Sequence, residues 1–227
     1  MFIGGHPQTP GRGHAPCTPI LPQTDRRYSV SQQGGRALSD RRLSDQRPAR
    51  RLEPAEGTSD LVILGIDPGL RVSGWGVVSV SGGAGDMRWL GSGAISTNAQ
   101  HAPEQRLHQI FRELCAVIER WRPAEVAVED PFVGENARSA FAIGEARAVA
   151  LLAAAQAGLP VRAYAPAEVK LAVAGYGRSD KAQMQEMVRM QLGLAKAPRP
   201  ADAADALAVA LCHHLRRRSE QRLGVVQ

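Results

Sequence analysis

The stretch at residues 61–80 constrains the fold most, because in it a continuous apolar run ends in a carboxylate. The run over residues 61–66 predicts a strand that is buried on both faces, and Asp67 stands at its end. A Pro-Gly pair then predicts a turn, and residues 73–80 predict a second strand that returns beside the first. An ionised carboxylate at the end of a buried strand costs free energy unless a cation pairs with it. Asp67 is therefore the first candidate for a functional residue.

Apolar periodicity after residue 80 predicts three more strands and five helices. The strands are expected over residues 87–96, 124–128 and 161–164, and the helices over residues 103–121, 136–157, 166–174, 179–192 and 201–218, with Asn136 and Ser179 as N-caps of the second and fourth. The first three strands can form an antiparallel meander, and helical crossovers join the later ones. The pattern predicts an α/β fold, a mixed five-stranded sheet covered by helices on both faces.

Composition divides the chain into three parts. Residues 1–59 are rich in Pro, Gly, Ser, Gln and Arg and poor in periodic apolar residues, which predicts a disordered, basic N-terminal extension. A folded domain is expected over residues 60–219 and a flexible tail over residues 220–227. Two roles stay open for the extension: weak contact with nucleic acid, or none, as expected if it is an over-extended gene start.

The charge and the cysteines restrict the setting in which the protein works. A net charge of +6 in 227 residues is compatible with a polyanionic partner such as DNA or RNA, and equally with a solvated basic surface. Cys17, Cys115 and Cys212 show neither metal-ligand spacing nor a disulfide framework, which indicates a reducing compartment. No apolar run is long enough to span a membrane, and the N-terminus lacks the apolar core of a secretory signal. We therefore expect a cytoplasmic protein.

Four carboxylates are candidate metal ligands. Asp67 and Glu129 each end an apolar strand, while Asp202 and Asp205 lie three apart on one face of the first turn of the last helix. Carboxylates from distant segments converge only if positive charge lies between them, and an all-oxygen set favours Mg²⁺ or Mn²⁺. Two such ions roughly 4 Å apart would suit phosphodiester hydrolysis. The alternative is a set of helix-capping and strand-end acids with no shared role.

Residues 61 to about 213 resemble the RuvC family of bacterial crossover junction endodeoxyribonucleases, which belongs to the RNase H-like superfamily. The resemblance implies an RNase H-like fold, and only the part before residue 60 lies outside it. The matching motifs are Ile63-Leu-Gly-Ile-Asp-Pro-Gly-Leu-Arg-Val-Ser-Gly-Trp-Gly-Val, Leu90-Gly-Ser-Gly, Val126-Ala-Val-Glu, Phe132 with Asn136-Ala-Arg-Ser-Ala, Gly144-Glu-Ala-Arg, Val188-Arg and Ala201-Asp-Ala-Ala-Asp-Ala-Leu-Ala.

The resemblance implies a structure-specific endonuclease of homologous recombination and DNA repair. It implies a homodimer that binds four-way (Holliday) junctions and nicks two opposed strands symmetrically. Hydrolysis would depend on Mg²⁺, with Mn²⁺ as a substitute and two ions per site, and would leave 5′-phosphate ends. A preference for a short thymine-containing sequence is also implied. The RuvA and RuvB branch-migration complex is the implied partner.

Residue by residue, the resemblance assigns roles to seven side chains. Asp67, Glu129, Asp202 and Asp205 match the family's metal-binding acids. Phe132 matches an aromatic that stacks on an unpaired base, and Lys170 and Lys181 match basic residues near the scissile phosphate. The alanine-rich helix over residues 136–157 matches the dimer element. Asp130 and Pro131, just before Phe132, depart from the family's pattern.

Three other functions fit parts of the sequence. An actin-like or sugar-kinase-like ATPase also opens with a strand and a Gly-x-Asp-x-Gly turn, but this chain is short for two lobes and no second such phosphate loop follows. A DNA-binding module without catalysis would not need the four acids. A shorter RNA-processing nuclease of the same superfamily is disfavoured by Phe132 and by the long dimer helix.

Overall fold

The computed structural model describes residues 60–81, 86–130, 137–177 and 179–224. Phe132, the expected cap Asn136, the extension over residues 1–59 and residues 225–227 lie outside the described part. Within it, the elements in chain order are β1 (Leu61–Asp67), β2 (Val72–Val80), β3 (Met87–Ser96), α1 (Pro103–Trp121), β4 (Glu125–Glu129), α2 (Ala137–Gln156), β5 (Val161–Tyr164), α3 (Pro166–Ala174), α4 (Lys181–Gln191) and α5 (Ala201–Arg222).

The strands form one mixed sheet in the order β3-β2-β1-β4-β5. β1 pairs antiparallel with β2, and β2 pairs antiparallel with β3, as the meander predicted. β4 lies parallel to β1, and β5 lies parallel to β4. Each parallel pair is joined through a helix, because parallel neighbours need a long crossover. The predicted five-stranded mixed sheet is confirmed.

Helices cover both faces of this sheet, which confirms the second part of the fold prediction. Leu64 and Ile66 pack on one face against α1 and α2. Ile63 and Ala127 pack on the other face against α3, α4 and α5. Successive side chains of a strand point to opposite faces. Asp67 and Glu129 therefore project on the same side as Ile63 and Ala127, toward α5.

Helix α5 lies unusually close to β1 and β2 because three glycines face it. A Cβ added to Gly65 would collide with the backbone oxygen of Ala206, and one added to Gly74 would collide with the backbone oxygen of Asp202. A Cβ on Gly76 would lie 2.6 Å from Cγ of Leu207. Only glycine leaves room for this approach. The first turn of α5 is thereby held against the end of β1.

A buried polar network fixes the other end of α5 to β4 and β5. Burial lowers the pKa of His213, so its imidazole is neutral and carries a single N–H. Glu125 can only accept, so His213 Nε2–H donates to Glu125 Oε2 at 2.6 Å. His213 Nδ1 then accepts from the hydroxyl of Tyr164 at 2.8 Å, and burial raises the pKa of that hydroxyl to about 12. Arg217 donates to the second oxygen of Glu125.

Two details differ from the sequence predictions. Asp180, not Ser179, caps α4: its side chain accepts from the backbone N–H of Gln183 at 2.8 Å. Ser179 is buried and its hydroxyl donates to the carbonyl of Tyr176. Helix α5 also continues to Arg222, four residues beyond its predicted end at residue 218. Glu220 there forms a 2.7 Å ion pair with Arg162 of β5.

No helix within the described ranges combines the length and the apolar character that crossing a membrane requires.

The close approach of α5 predicts that Gly74→Ala is strongly destabilising. The added methyl group meets backbone, which cannot swing aside, so the unfolding free energy should fall by at least about 2 kcal/mol. Gly177→Ala is the matched control, because a Cβ there meets no atom within 4 Å; its effect should stay within about 0.5 kcal/mol. Urea titration followed by circular dichroism measures both. Equal midpoints for the two variants would contradict the packing described here.

Candidate active site

Carboxylates from three distant segments meet in one cleft at the ends of β1 and β4. The cleft has a volume of about 280 Å³. Asp67 is the last residue of β1, Glu129 is the last residue of β4, and Asp205 lies in the second turn of α5. The cleft is lined by Asp67, Glu129, Pro166, Val169, Lys170, Asp180, Lys181, Met184, Asp205 and Ala208.

The electrostatics at Asp67 show how costly this assembly is. Burial and, after it, the negative charges of Glu129, Asp205 and Asp202 together raise the pKa of Asp67 to about 8. The positive charge of Lys181 opposes the shift. An isolated aspartate has a pKa near 4, so the fold holds this group where its charged form is strongly disfavoured.

Glu129 experiences the same environment from the neighbouring strand. Burial and, after it, the negative charge of Asp205 together raise the pKa of Glu129 to about 7. Lys170, on α3, acts in the opposite direction. Two carboxylates with strongly raised pKa values in one cleft are typical of a functional site, because a structural core would avoid the cost.

Lys181 is the cation that contacts this group of acids directly. Its Nζ lies 3.0 Å from Oδ2 of Asp205, and the hydrogen bond to Asp205 raises the pKa of Lys181. Lys181 is the first residue of α4, whose start is fixed by the Asp180 cap. The side chain of Lys181 is 60% exposed, so its ammonium group can change partners.

The remaining predicted site residues are Asp202 and Phe132. Asp202 does not line the cleft; its backbone oxygen faces Gly74, and its charge still raises the pKa of Asp67. Phe132 lies outside the described residues. Asp130, a departure from the family pattern, forms a 2.9 Å ion pair with Nε of Arg147 on α2, although without hydrogen-bond alignment.

The donor set fits a hard divalent cation. As their side chains stand, the described residues hold no group of three or more His, Cys, Asp or Glu that is close enough together to bind an ion. The cleft nevertheless collects three carboxylates whose burial and mutual repulsion raise two pKa values. The negatively charged metal ligands that its lining offers are all carboxylate oxygens, and such ligands suit Mg²⁺ or Mn²⁺. The two lysines of the lining, Lys170 and Lys181, do not balance its four acidic residues.

Asp180 is the lining residue that the sequence analysis missed. Its side chain caps α4 from one wall of the cleft. The signal was available, because Asp180 and Gln183 have the spacing of a capping box, in which the cap and the third helical residue bond to each other's backbone. The backbone N–H of Asp180 donates to Gln183 Oε1 at 3.1 Å.

Comparison of the sequence with known families gives a clear match. The profile of the family described as crossover junction endodeoxyribonuclease RuvC matches residues 63–213. A protein of that name from Chloroflexus aggregans is 54% identical over 162 residues, which are 71% of this chain and 98% of the relative. Another from Rubrobacter xylanophilus is 48% identical over 164 residues, 72% of this chain and 90% of the relative. All four acids lie inside the matched span.

Solved structures of similar proteins agree with this family match. The Thermus thermophilus RuvC structure, 42% identical, gives a TM-score of 0.65 and covers 70% of this chain and 96% of that chain. The structure of the same protein in complex with a Holliday junction substrate gives a TM-score of 0.66. A yeast mitochondrial Holliday junction resolvase, 11% identical with a TM-score of 0.50 over 72% of this chain and 86% of its own, is similar in fold alone. The resemblance and the RNase H-like fold predicted from sequence are confirmed.

The contact between Lys181 and Asp205 predicts that Lys181→Gln destabilises the protein in EDTA. The loss should be about 0.5–1 kcal/mol, a small value because the lysine is mostly exposed to water. Lys196→Gln is the control: it removes an exposed lysine outside the cleft and should change stability by less than about 0.5 kcal/mol. Chemical unfolding of both variants measures the difference. Identical losses would show that Lys181 does not offset the charge of the cleft.

Proposed function

The chain belongs to the RuvC family of crossover junction endodeoxyribonucleases, and from that membership we propose that it resolves four-way DNA junctions. The reaction is hydrolysis of one phosphodiester in each of two opposed strands, leaving 5′-phosphate ends. The observation that carries the proposal is the meeting of Asp67, Glu129 and Asp205 in one cleft. Junction resolution belongs to homologous recombination and repair, so we place the enzyme in the bacterial cytoplasm with the chromosome.

We propose that these carboxylates hold two Mg²⁺ ions, with Mn²⁺ as a substitute. Asp67, Glu129 and Asp205 would bind from the cleft, and Asp202 would complete the set from the first turn of α5, one turn before Asp205. The chemistry that bound ions supply is activation of the attacking water and neutralisation of the charge that develops on the phosphodiester. The chain's own contribution is to position the oxygens and to bury them, which strengthens their attraction for a cation.

Lys170 and Lys181 are proposed to bind the scissile phosphate. Both line the cleft beside the acids, and each lowers the pKa of a neighbouring carboxyl group. The exposed ammonium of Lys181 can leave Asp205 and pair with a phosphate oxygen, since its flexible stem allows the movement. The phosphate and the acids would therefore share one set of positive charges.

Phe132 is proposed to stack on an unpaired base at the crossover. Aromatic side chains bind splayed bases through their faces, and Phe132 follows Glu129 by three residues in the sequence. Asp130, between them, is tied to α2 by its ion pair with Arg147. The start of the segment that carries Phe132 is thus connected to the helix that we assign to the dimer.

A homodimer through α2 is proposed from the surface of that helix. Phe141 and Leu152 are 70% and 58% exposed, which is unusual for large apolar side chains on a helix rich in alanine. Phe141, Ala148, Leu152 and Ala155 recur at spacings of seven, four and three and are all exposed, so they form one stripe. Pairing of this stripe with itself across a two-fold axis would present two identical clefts to two opposed strands.

The remaining partners follow from the family. We propose that the RuvA and RuvB branch-migration complex delivers the junction. The extension over residues 1–59 is proposed to be dispensable for cleavage, because the match to the Chloroflexus aggregans relative takes in 98% of that protein and 71% of this chain. Deletion of residues 1–59 followed by a cleavage assay tests this assignment.

The site assignment predicts that Glu129→Gln and Asp67→Asn bind a junction normally but cut it at least about 100-fold more slowly. The amides keep the shape of the side chains and lose the charge that attracts a cation. Cleavage of a mobile synthetic junction in Mg²⁺, with mapping of the cut ends, measures the rate, and thermal shift in Mg²⁺ against EDTA measures ion binding. Both substitutions should abolish the Mg²⁺-dependent shift.

Glu186→Gln is the matched control for charge, because Glu186 is an exposed acid of α4 that pairs with Arg189. It should cut at the wild-type rate and keep the thermal shift. Normal cleavage by Glu129→Gln, or cleavage by the wild type in EDTA, would refute the metal-site assignment.

The dimer assignment predicts that Leu152→Arg is a folded monomer. A charged side chain in the centre of the stripe cannot be desolvated without cost, so the dimer should dissociate while α2 stays helical. Sedimentation velocity measures the mass, and circular dichroism checks the fold. Met190→Arg places the same side chain on α4 at a position that is 59% exposed and should remain dimeric. Equal masses for the two variants would place the interface elsewhere.

A further inference from the structure

A second groove lies between α3 and the last turns of α5. It has a volume of about 440 Å³. Leu171, Ala172 and Leu215 form an apolar floor, and Leu171 is 53% exposed although α3 is otherwise packed on the core. The rim carries Arg216, Arg218, Ser219 and Arg222. Apolar and strongly basic surface are thus combined in one depression.

The groove is separate from the carboxylate cleft although both lie on one face of α5. Asp205, Ala208, Cys212, Leu215, Ser219 and Arg222 recur at spacings of three and four along that face. Helix α3 crosses the face between the two sites, where Cys212 contacts the carbonyl of Glu168. The rise of an α-helix puts Arg218 about 20 Å from Asp205 along the axis. The groove is therefore at the opposite end of the sheet from the acids.

The rim has positive charge that the fold does not use. Arg217 is engaged by Glu125, and Arg216 pairs with Glu168 at 3.2 Å in an exposed contact. Among the described residues, neither Arg218 nor Arg222 has an acidic partner. Cations in the last turns of a helix do complement its dipole, but the dipole gives no reason for an exposed leucine beside them.

We propose that this groove binds an acidic peptide segment of a partner protein that carries an apolar anchor side chain. The anchor would cover Leu171 and Leu215, and carboxylates on the same segment would pair with Arg218 and Arg222. A shallow groove of this size accepts one or two side chains, so the affinity should be micromolar and should fall with salt.

Other occupants fit the chemistry less well. Residues 1–59 of this chain contain nine arginines and five acidic residues, so the groove would repel them. A DNA backbone would satisfy the arginines but has no apolar group for the floor. A second copy would bring the same arginines against each other. An acidic, amphipathic segment matches both the charge and the floor.

The experiment uses the full-length protein and a panel of fluorescein-labelled decapeptides. Each peptide carries four acidic residues and one Phe, Leu or Trp at a varied position, and a matched set has Ser in place of the apolar residue. Fluorescence anisotropy should detect members with Kd below about 100 μM, and the Ser set should bind at least about tenfold more weakly. The proposal would be overturned if none of the peptides with Phe, Leu or Trp bound with a Kd below about 1 mM.

Substitutions in the groove test whether the peptide binds there. The double substitution Arg218→Ala and Arg222→Ala should weaken binding of the best peptide about tenfold or more. Leu171→Ser should weaken it to a similar degree, because it removes apolar surface from the floor of the groove. Arg88→Ala with Arg112→Ala removes two exposed arginines elsewhere and should leave peptide binding unchanged. Equal losses in the two arginine pairs would show a general charge effect and overturn the proposal. So would the result that a 15-base-pair duplex, but no peptide, loses affinity in the groove variants, because that result assigns the groove to DNA.

Discussion

The carboxylate cleft depends on how closely α5 approaches β1 and β2. Gly65 and Gly76 face each other across the β1–β2 ladder, and Gly74 is the register partner of Asp67. The backbone of α5 occupies the space that a side chain at Gly65 or Gly74 would need. A larger residue at Gly74 would push Asp202 and its turn away from the end of β1. The distance between two pieces of backbone therefore sets the distance between the acids.

Two glutamates of β4 have opposite surroundings. Glu125 and Glu129 lie on the same face of one strand, about 13 Å apart. Glu125 is satisfied by His213 and Arg217. Glu129 forms no ion pair within the described residues, and burial with the charge of Asp205 raises its pKa to about 7. The fold supplies partners at one end of β4 and withholds them at the other, where a cation would then bind favourably.

Local sequence was enough to predict the ends of β1 and β4 and the placement of their acids, because apolar runs define buried strands and alternation defines their faces. It could also have placed the α4 cap: Ser179 and Asp180 are both good cap residues, but only Asp180 has a Gln three residues later, the spacing of a capping box. The groove beside α5, in contrast, could not be predicted. It is formed by Leu171 and Leu215, which are distant in sequence and meet only because α3 crosses α5.

The exposed apolar stripe of α2 and the carboxylate cleft lie on opposite sides of the sheet. The α1–α2 side carries the exposed stripe of Phe141 and Leu152, and the α3–α5 side carries the acids. The dimer proposed through that stripe would leave the other side open to the proposed DNA substrate, so assembly and catalysis would not compete for surface. The Asp130–Arg147 ion pair crosses this division at the end of β4. Since Asp130 directly follows Glu129, a shift of α2 on formation of the proposed dimer would reach the end of β4 through the Asp130–Arg147 contact.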